Sequence, residues 1–191
     1  QSPCRKLCPY IYIRDNLSGD YHSVSWGPVF KELSGFKSEC RHGTGYSVIS
    51  SEYKGIWASA SYYVPLGAEY EVWYVTVTNK SSADRELSIT GYCEFTDDNN
   101  YEQDQINLQY SLFITRTLFA GNRLRQLVKG NLSEYDPDGV DERFFGLAGA
   151  EISSYCGDRG EFLGAYRDYR NPVCIENGNL GNRLNYNGVS C

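Results

Sequence analysis

The stretch Glu69-Tyr70-Glu71-Val72-Trp73-Tyr74-Val75-Thr76-Val77-Thr78 places Tyr70, Val72, Tyr74, Thr76 and Thr78 on one face of an extended chain and Glu71, Trp73, Val75 and Val77 on the other. Side chains of a β-strand point alternately to opposite faces, so the decamer reads as a strand. Both of its faces are largely apolar or aromatic, the pattern of a strand in a sandwich core.

The neighbouring segments repeat this theme. Downstream, Asn79-Lys80-Ser81-Ser82-Ala83-Asp84 is a polar turn, and Arg85 to Phe95 predicts a strand returning from it as a hairpin. Upstream, Tyr46 to Ser50 and Ile56 to Val64 predict strands around a turn at Lys54-Gly55. Tyr10 to Asp15 is a short β-type run closed by the turn cluster Asn16-Leu17-Ser18-Gly19-Asp20, and the chain re-enters a strand at Tyr21. Leu108 to Leu118 and Phe144 to Ser154 supply two further β-type segments. The more polar Gly121 to Glu142 stretch separates them, with a tight turn at Asp136-Pro137-Asp138-Gly139. Beyond Glu176 the chain is mostly turn chemistry, and no amphipathic helix of four turns stands out. Short strands bounded by turn residues predict an all-β fold, an antiparallel β-sandwich, without internal repeats.

With 191 residues and 41% hydrophobic content the chain can bury one sizeable core, so one domain or a large part of one is expected. It opens on Gln1 and has no methionine, which suggests a piece of a longer protein. No apolar run reaches the ~18 residues that span a bilayer, so no membrane partner is expected. A net charge of -6 without a basic block disfavours nucleic acid and suits a neutral ligand. The 17 tyrosines offer flat apolar faces with polar tips, on which sugars stack, but such residues equally suit half-buried strands. Seven cysteines, an odd number without CxxC spacing, read as mostly buried free thiols in a reducing cytoplasm. In that compartment the sequons at Asn16, Asn79 and Asn131 carry little weight. The only histidines, His22 and His42, lack ligand-like spacing, so neither a metal nor another cofactor is expected.

Five motifs occur in order: Trp26-Gly27-Pro28-Val29, Cys40-Arg41-His42-Gly43-Thr44-Gly45-Tyr46, Tyr63-Val64-Pro65-Leu66-Gly67, Glu71-Val72-Trp73 and Tyr92-Cys93-Glu94-Phe95. A later one is Gly164-Ala165-Tyr166-Arg167-Asp168-Tyr169-Arg170-Asn171-Pro172. Together these resemble the amino-terminal β-sandwich of glycoside hydrolase family 94, inverting phosphorylases that split cellobiose, cellodextrins, laminaribiose or chitobiose with inorganic phosphate. The resemblance implies a galactose-mutarotase-like supersandwich, here incomplete, spanning residues 1–191. It also implies a catalytic (α/α)6 barrel that this chain lacks, together with the aspartate acid and phosphate site that the family keeps there. The closest implied type is a cytoplasmic cellodextrin phosphorylase, with inorganic phosphate as co-substrate.

Candidate contacts come from the residues themselves and, for one glutamine, from the same resemblance. The segment from Asp97 to Leu108 is rich in amides and carboxylates, which donate to and accept from sugar hydroxyls. In the family a glutamine of this region reaches the acceptor sugar of the neighbouring protomer; Gln105 matches it best, with Tyr101 as an aromatic neighbour. Arg14 with Asp15, at the end of an aromatic strand, forms a second candidate pair. Arg41-His42-Gly43 reads as a charged corner between strands rather than as a reactive constellation. The implied partners are a β-linked gluco-oligosaccharide, the protein's own barrel domain and a second protomer. Two alternatives stay open: a stand-alone carbohydrate-binding sandwich, whose mark would be solvent-facing aromatics on one strand face, and a purely structural interaction domain.

Overall fold

The computed structural model of the chain describes residues 9–95, 115–129 and 140–184. The chain divides into two compact units, one of Tyr10–Gly91 with Tyr169–Asn171 and one of Gln1–Pro9, Tyr92–Asp168 and Pro172–Cys191. Among the described residues no helix is long and apolar enough to cross a membrane.

The first unit holds β1 (Tyr10–Asp15), β2 (Tyr21–Ser23), β3 (Phe36–Gly43), β4 (Tyr46–Tyr53), β5 (Ile56–Tyr63), β6 (Val72–Asn79) and most of β7 (Leu87–Tyr92). They form a three-stranded sheet of order β2-β1-β7 and a four-stranded sheet of order β3-β4-β5-β6. The β4–β5 turn is the tightest possible, because Lys54 and Gly55 both take positive φ, at 47° and 78°, as a two-residue hairpin loop requires. That turn sets the register Tyr53↔Ile56 through Tyr46↔Tyr63, and β6 continues it with Ile56↔Asn79 through Tyr63↔Val72. One face of β5 is therefore Ile56, Ala58 and Ala60, all buried, and it packs against Ile11 and Ile13 of β1 and against Val24. Half-buried Ile49, Trp73, Val75, Val77 and Leu87 close the rim of this core.

Strand β1 is covered on both sides. Its Tyr12 points away from Ile11 and Ile13, is fully buried, and donates its hydroxyl to the Tyr169 carbonyl at 2.9 Å. The Tyr10 and Tyr169 rings lie 5.5 Å apart, so the returning segment Tyr169–Asn171 seals this side.

The structure corrects three expectations. The hairpin expected between β6 and β7 does not form: β7 lies beside β1 in the other sheet. The Asn79 amide holds the turn, donating to the Ala83 carbonyl at 2.8 Å and accepting from the Ser81 amide at 2.9 Å. Lys80 N–H reaches the Gly55 carbonyl at 2.8 Å and Asn16 N–H the Glu86 carbonyl at 2.9 Å, which carries the chain across the sandwich and lets Leu87 join the core. Secondly, Arg41 and His42 are not a corner; they belong to β3, and the turn is Thr44-Gly45, with Gly45 at φ 91°. Thirdly, the described thiols are not mostly buried: of these four only Cys174 is buried, whereas Cys93 and Cys156 are half-buried and Cys40 is exposed.

The second unit holds β8 (Thr115–Phe119), β9 (Arg123–Lys129) and β10 (Val140–Gly146) in an antiparallel sheet of order β10-β9-β8, and the short helices α1 (Arg159–Leu163) and α2 (Val173–Asn177). Strand β9 lies inside the stretch read from sequence as a polar connection. Its inward residues are Leu124 and Gln126, and Arg125 pairs across the sheet with Glu142, its Nε 2.5 Å from Oε1, so polar side chains mask the strand pattern. The β-type run expected from Phe144 to Ser154 stops at Gly146. Asn122, at φ 59°, donates to the Leu147 and Ala150 carbonyls and accepts from the Ile152 amide, so these backbone groups are satisfied without a ladder. Asp158 caps α1 by accepting from the Glu161 amide at 2.9 Å, and Phe162 stacks on Tyr92 with ring centroids 4.8 Å apart.

At the other end of the core, His22 is 4% exposed, with the Phe36 and Tyr53 rings 6.3 and 5.1 Å away. Burial, reinforced by the charge of Lys31 and only partly opposed by Asp20, pushes its pKa down to about 4. Beside it Asp20 binds Lys31 Nζ at 2.8 Å, Lys54 Nζ at 2.6 Å and the Tyr53 hydroxyl at 3.0 Å. Burial alone would raise the Asp20 pKa, but these hydrogen bonds outweigh it and hold the carboxyl well below the usual range. His22 is thus neutral when folded, while the unfolded chain takes up a proton near pH 6.5. Its contribution to stability is full above that pH and is lost as pH falls towards 4, an amount of about 3 kcal/mol. Thermal melts of the protein between pH 7 and 4 should show this decline, and His22→Phe should flatten it; an unchanged slope in that variant would remove His22 as its source.

Candidate functional site

The strands of the four-stranded sheet end together where the β3–β4 turn meets the β5–β6 loop. Gly43, Tyr46, Tyr63 and Val72 are cross-strand neighbours in one row on the outer face. The Tyr46 ring folds back over Gly43, and a β-carbon at residue 43 would overlap that ring. Glycine is what lets the ring lie this close, and it does so through its lack of a side chain rather than through its backbone angle.

The next row, on the inner face, is His42, Ser47, Tyr62 and Trp73. Tyr62 and Trp73 meet edge to face at 5.8 Å, and Trp73 Nε1 donates to Glu71 Oε1 at 2.8 Å. Burial, with the Glu71 charge second, pushes the Tyr62 phenol up to about 12, so it stays a neutral donor and acceptor across the physiological range. An open recess of about 420 Å³ lies here, lined by Gly43, Tyr46, Ser47, Tyr62, Tyr63 and Glu71 among others.

Tyr46, Tyr63 and Tyr74 of the outer face are 51%, 39% and 65% exposed. Val64, Leu66 and Tyr70 of the β5–β6 loop are exposed as well. Aromatic faces beside hydroxyl groups and one carboxylate offer both kinds of contact that a sugar ring takes, stacking on its C–H faces and hydrogen bonds to its hydroxyls. Among the described residues neither row holds a pair of carboxylates or a cluster of cations, the groups that glycoside chemistry with phosphate would need.

Of the residues singled out in the sequence, Arg14 and Asp15 belong to the β1–β2 turn and not to this recess. Asp15 accepts the Leu17 and Ser18 amides at 2.9 and 3.0 Å and pairs with Arg85 Nε at 2.9 Å. The Ser18 amide first, and then the Leu17 amide and the Arg85 charge, lower its pKa against the opposing effect of burial. Arg14 Nη1 donates to Asn16 Oδ1 at 3.1 Å, so both residues serve the β1–β2 turn. Gln105 and Tyr101 lie outside the described residues. The tyrosine shelf itself could have been found from the two-residue spacing between Gly43 and Tyr46, which makes them a cross-strand pair, and from Tyr62-Tyr63 at a strand end.

The sequence matches the family described as Glycosyl hydrolase 94, supersandwich domain, over residues 3–191. The chain belongs to that family. Its all-β sheets agree with a supersandwich, as the sequence motifs implied. A relative named N,N'-diacetylchitobiose phosphorylase, from Vibrio furnissii, is 38% identical over 177 residues, covering 91% of this chain and 21% of the relative. Solabiose phosphorylase from Paenibacillus borealis is 30% identical over 177 residues, 92% of this chain and 22% of its own length. A shorter match, 32% over 80 residues, joins 42% of this chain to 10% of 3-O-beta-D-glucopyranosyl-beta-D-glucuronide phosphorylase of the same organism. The chain thus spans about 21% of the length of the curated chitobiose relative. Chitobiose and solabiose, rather than cellodextrin, are the substrates that the long matches carry in their names.

In this family 94 supersandwich, Gly43→Ala should cost about 0.5–1 kcal/mol, because the added methyl only pushes the exposed Tyr46 ring aside. In a Tyr46→Ala background the same change should cost little. Denaturant midpoints of the four proteins of this cycle check it, and equal costs in both backgrounds would show that the ring does not pack on Gly43.

Proposed function

We propose that this chain is the amino-terminal supersandwich domain of an inverting phosphorylase acting on a β-linked disaccharide or short oligosaccharide, with the general acid and phosphate site in a helical barrel outside residues 1–191. The observation that carries the reading is the family match over residues 3–191 together with relatives that are all named phosphorylases. In such a reaction a carboxylic acid protonates the leaving oxygen while phosphate attacks the anomeric carbon from the opposite face, giving an α-sugar 1-phosphate. The 38% identity favours N,N'-diacetylchitobiose over cellodextrins as the first substrate to test. Incubating the full-length protein with diacetylchitobiose and inorganic phosphate should release sugar phosphate; phosphate-independent cleavage, or none with any β-linked disaccharide, would overturn the reading.

Within that enzyme the domain supports dimerisation and completes the acceptor-sugar site, with Gln105 and Tyr101 as its contacts. Arg14 and Asp15 are weaker candidates, since the turn and Arg85 already engage them. A second reading, a carbohydrate-binding sandwich, is favoured by one observation: Tyr46, Tyr63 and Tyr74, on three neighbouring strands, face solvent on one face of the sheet. The two readings separate by mutation. Gln105→Ala in the full-length enzyme should weaken acceptor use in the synthetic direction by about 0.5–1.5 kcal/mol, seen as a raised acceptor KM with an unchanged melting temperature. If acceptor kinetics respond instead to Tyr63→Ala and not to Gln105→Ala, the tyrosine shelf is the sugar contact.

A further inference from the structure

We propose that Cys40, His42 and Ser47 form a thiol-activating relay that makes Cys40 a site of oxidation by hydrogen peroxide. Strand β3 puts Cys40 and His42 two residues apart and so on the same face, and Ser47 of β4 is the direct cross-strand partner of His42. Cys40 Sγ lies 3.2 Å from His42 Nε2, and His42 Nδ1 lies 2.8 Å from Ser47 Oγ. In the tautomer that carries its proton on Nδ1 and donates it to Ser47, the imidazole presents the Nε2 lone pair to the thiol. This is the order of parts that activates a nucleophile: thiol, base, and a group that orients the base. Cys40 and His42 are both exposed, so a small oxidant reaches them. On the opposite face of β3 the Arg41 guanidinium is taken by Glu39 at 2.6 Å, and it does not compete for the relay.

The other described thiols are differently placed. Cys174 is buried and donates to the Glu161 carbonyl at 3.4 Å. Cys156 donates to the Asp158 carbonyl at 3.3 Å, and contact with Cys174, followed by burial, pushes its thiol up. Such environments suppress the thiolate, which is the reactive form.

The step balances as follows. The Cys40 S–H proton passes to His42 Nε2, and the thiolate attacks one peroxide oxygen. An S–O bond forms and the O–O bond breaks; the departing hydroxide takes the imidazolium proton and leaves as water. The sulfur loses two electrons to the peroxide and becomes a sulfenic acid.

The test uses the full-length protein treated with hydrogen peroxide and dimedone, with adducts quantified at each cysteine by mass spectrometry. Cys40 should carry more adduct than Cys93, Cys156 or Cys174, and His42→Gln, which keeps a hydrogen-bonding side chain but no base, should slow its labelling at pH 7 by about tenfold or more. Ser47→Ala should slow it less, and added imidazole should restore the rate in His42→Gly. Melting temperatures identify any variant that has unfolded, and in that event the imidazole rescue decides. Labelling of Cys40 no faster than Cys93 or Cys156 in the native protein, or an unchanged Cys40 rate in folded His42→Gln, would overturn the proposal. The readout is an adduct at one thiol, so it stands or falls independently of whether the protein phosphorolyses a sugar.

Discussion

The contact of Ile11 and Ile13 with the Ile56–Ala58–Ala60 face of β5 is the constraint from which the first unit is built. Two alanines at the centre of a sheet give little volume, so the opposing isoleucines can approach the β5 backbone closely and fill the space between the sheets. Each isoleucine fully buried there contributes about 1.5–3 kcal/mol. The arrangement also decides chain path. A core that needs Leu87 at its rim draws β7 over to β1, and the side-chain amide of Asn79 organises the turn that allows the crossing.

Because strand side chains alternate, the same contact fixes what the far end of the sheet displays. Continuing the buried series from Ala60 leads to Tyr62, which still packs on Trp73; the intervening series ends at Tyr63, which faces solvent. A slip of one residue between β4 and β5 would exchange these faces and put Ser59 and Ser61 into the core. The core and the tyrosine shelf are therefore one register seen from two sides. The same holds for β3, where Cys40 and His42 share the inner face while Glu39 and Arg41 share the outer.

Where the sequence was legible, the reason is local chemistry. Strand β1 ends at Asp15 as expected, because that carboxylate ties the turn amides; β4 and β5 meet at Lys54-Gly55, because glycine admits the required backbone angles. The partner of β7 was not legible, since pairing is settled by a core formed between segments far apart in sequence. Strand β9 was hidden because a buried Gln126 and the cross-strand pair Arg125–Glu142 look like loop composition. The shelf was half visible: its tyrosines stood at predicted strand ends, but their grouping depends on register. The family motifs read in the sequence agree with the match over residues 3–191, whereas the long matches carry chitobiose and solabiose rather than cellodextrin in their names.

The outer strands of the four-stranded sheet differ in how they meet water. Strand β3 carries Lys37, Glu39 and Arg41 at alternate positions, charges that discourage another backbone from docking along its edge. Strand β6, Val72-Trp73-Tyr74-Val75-Thr76-Val77-Thr78-Asn79, has no charge, proline or glycine and is rich in β-branched and aromatic residues. Among the described residues β5 is its only ladder neighbour. The sheet thus carries charge along one outer strand and none along the other, so composition guards the β3 border and leaves the β6 border without that guard.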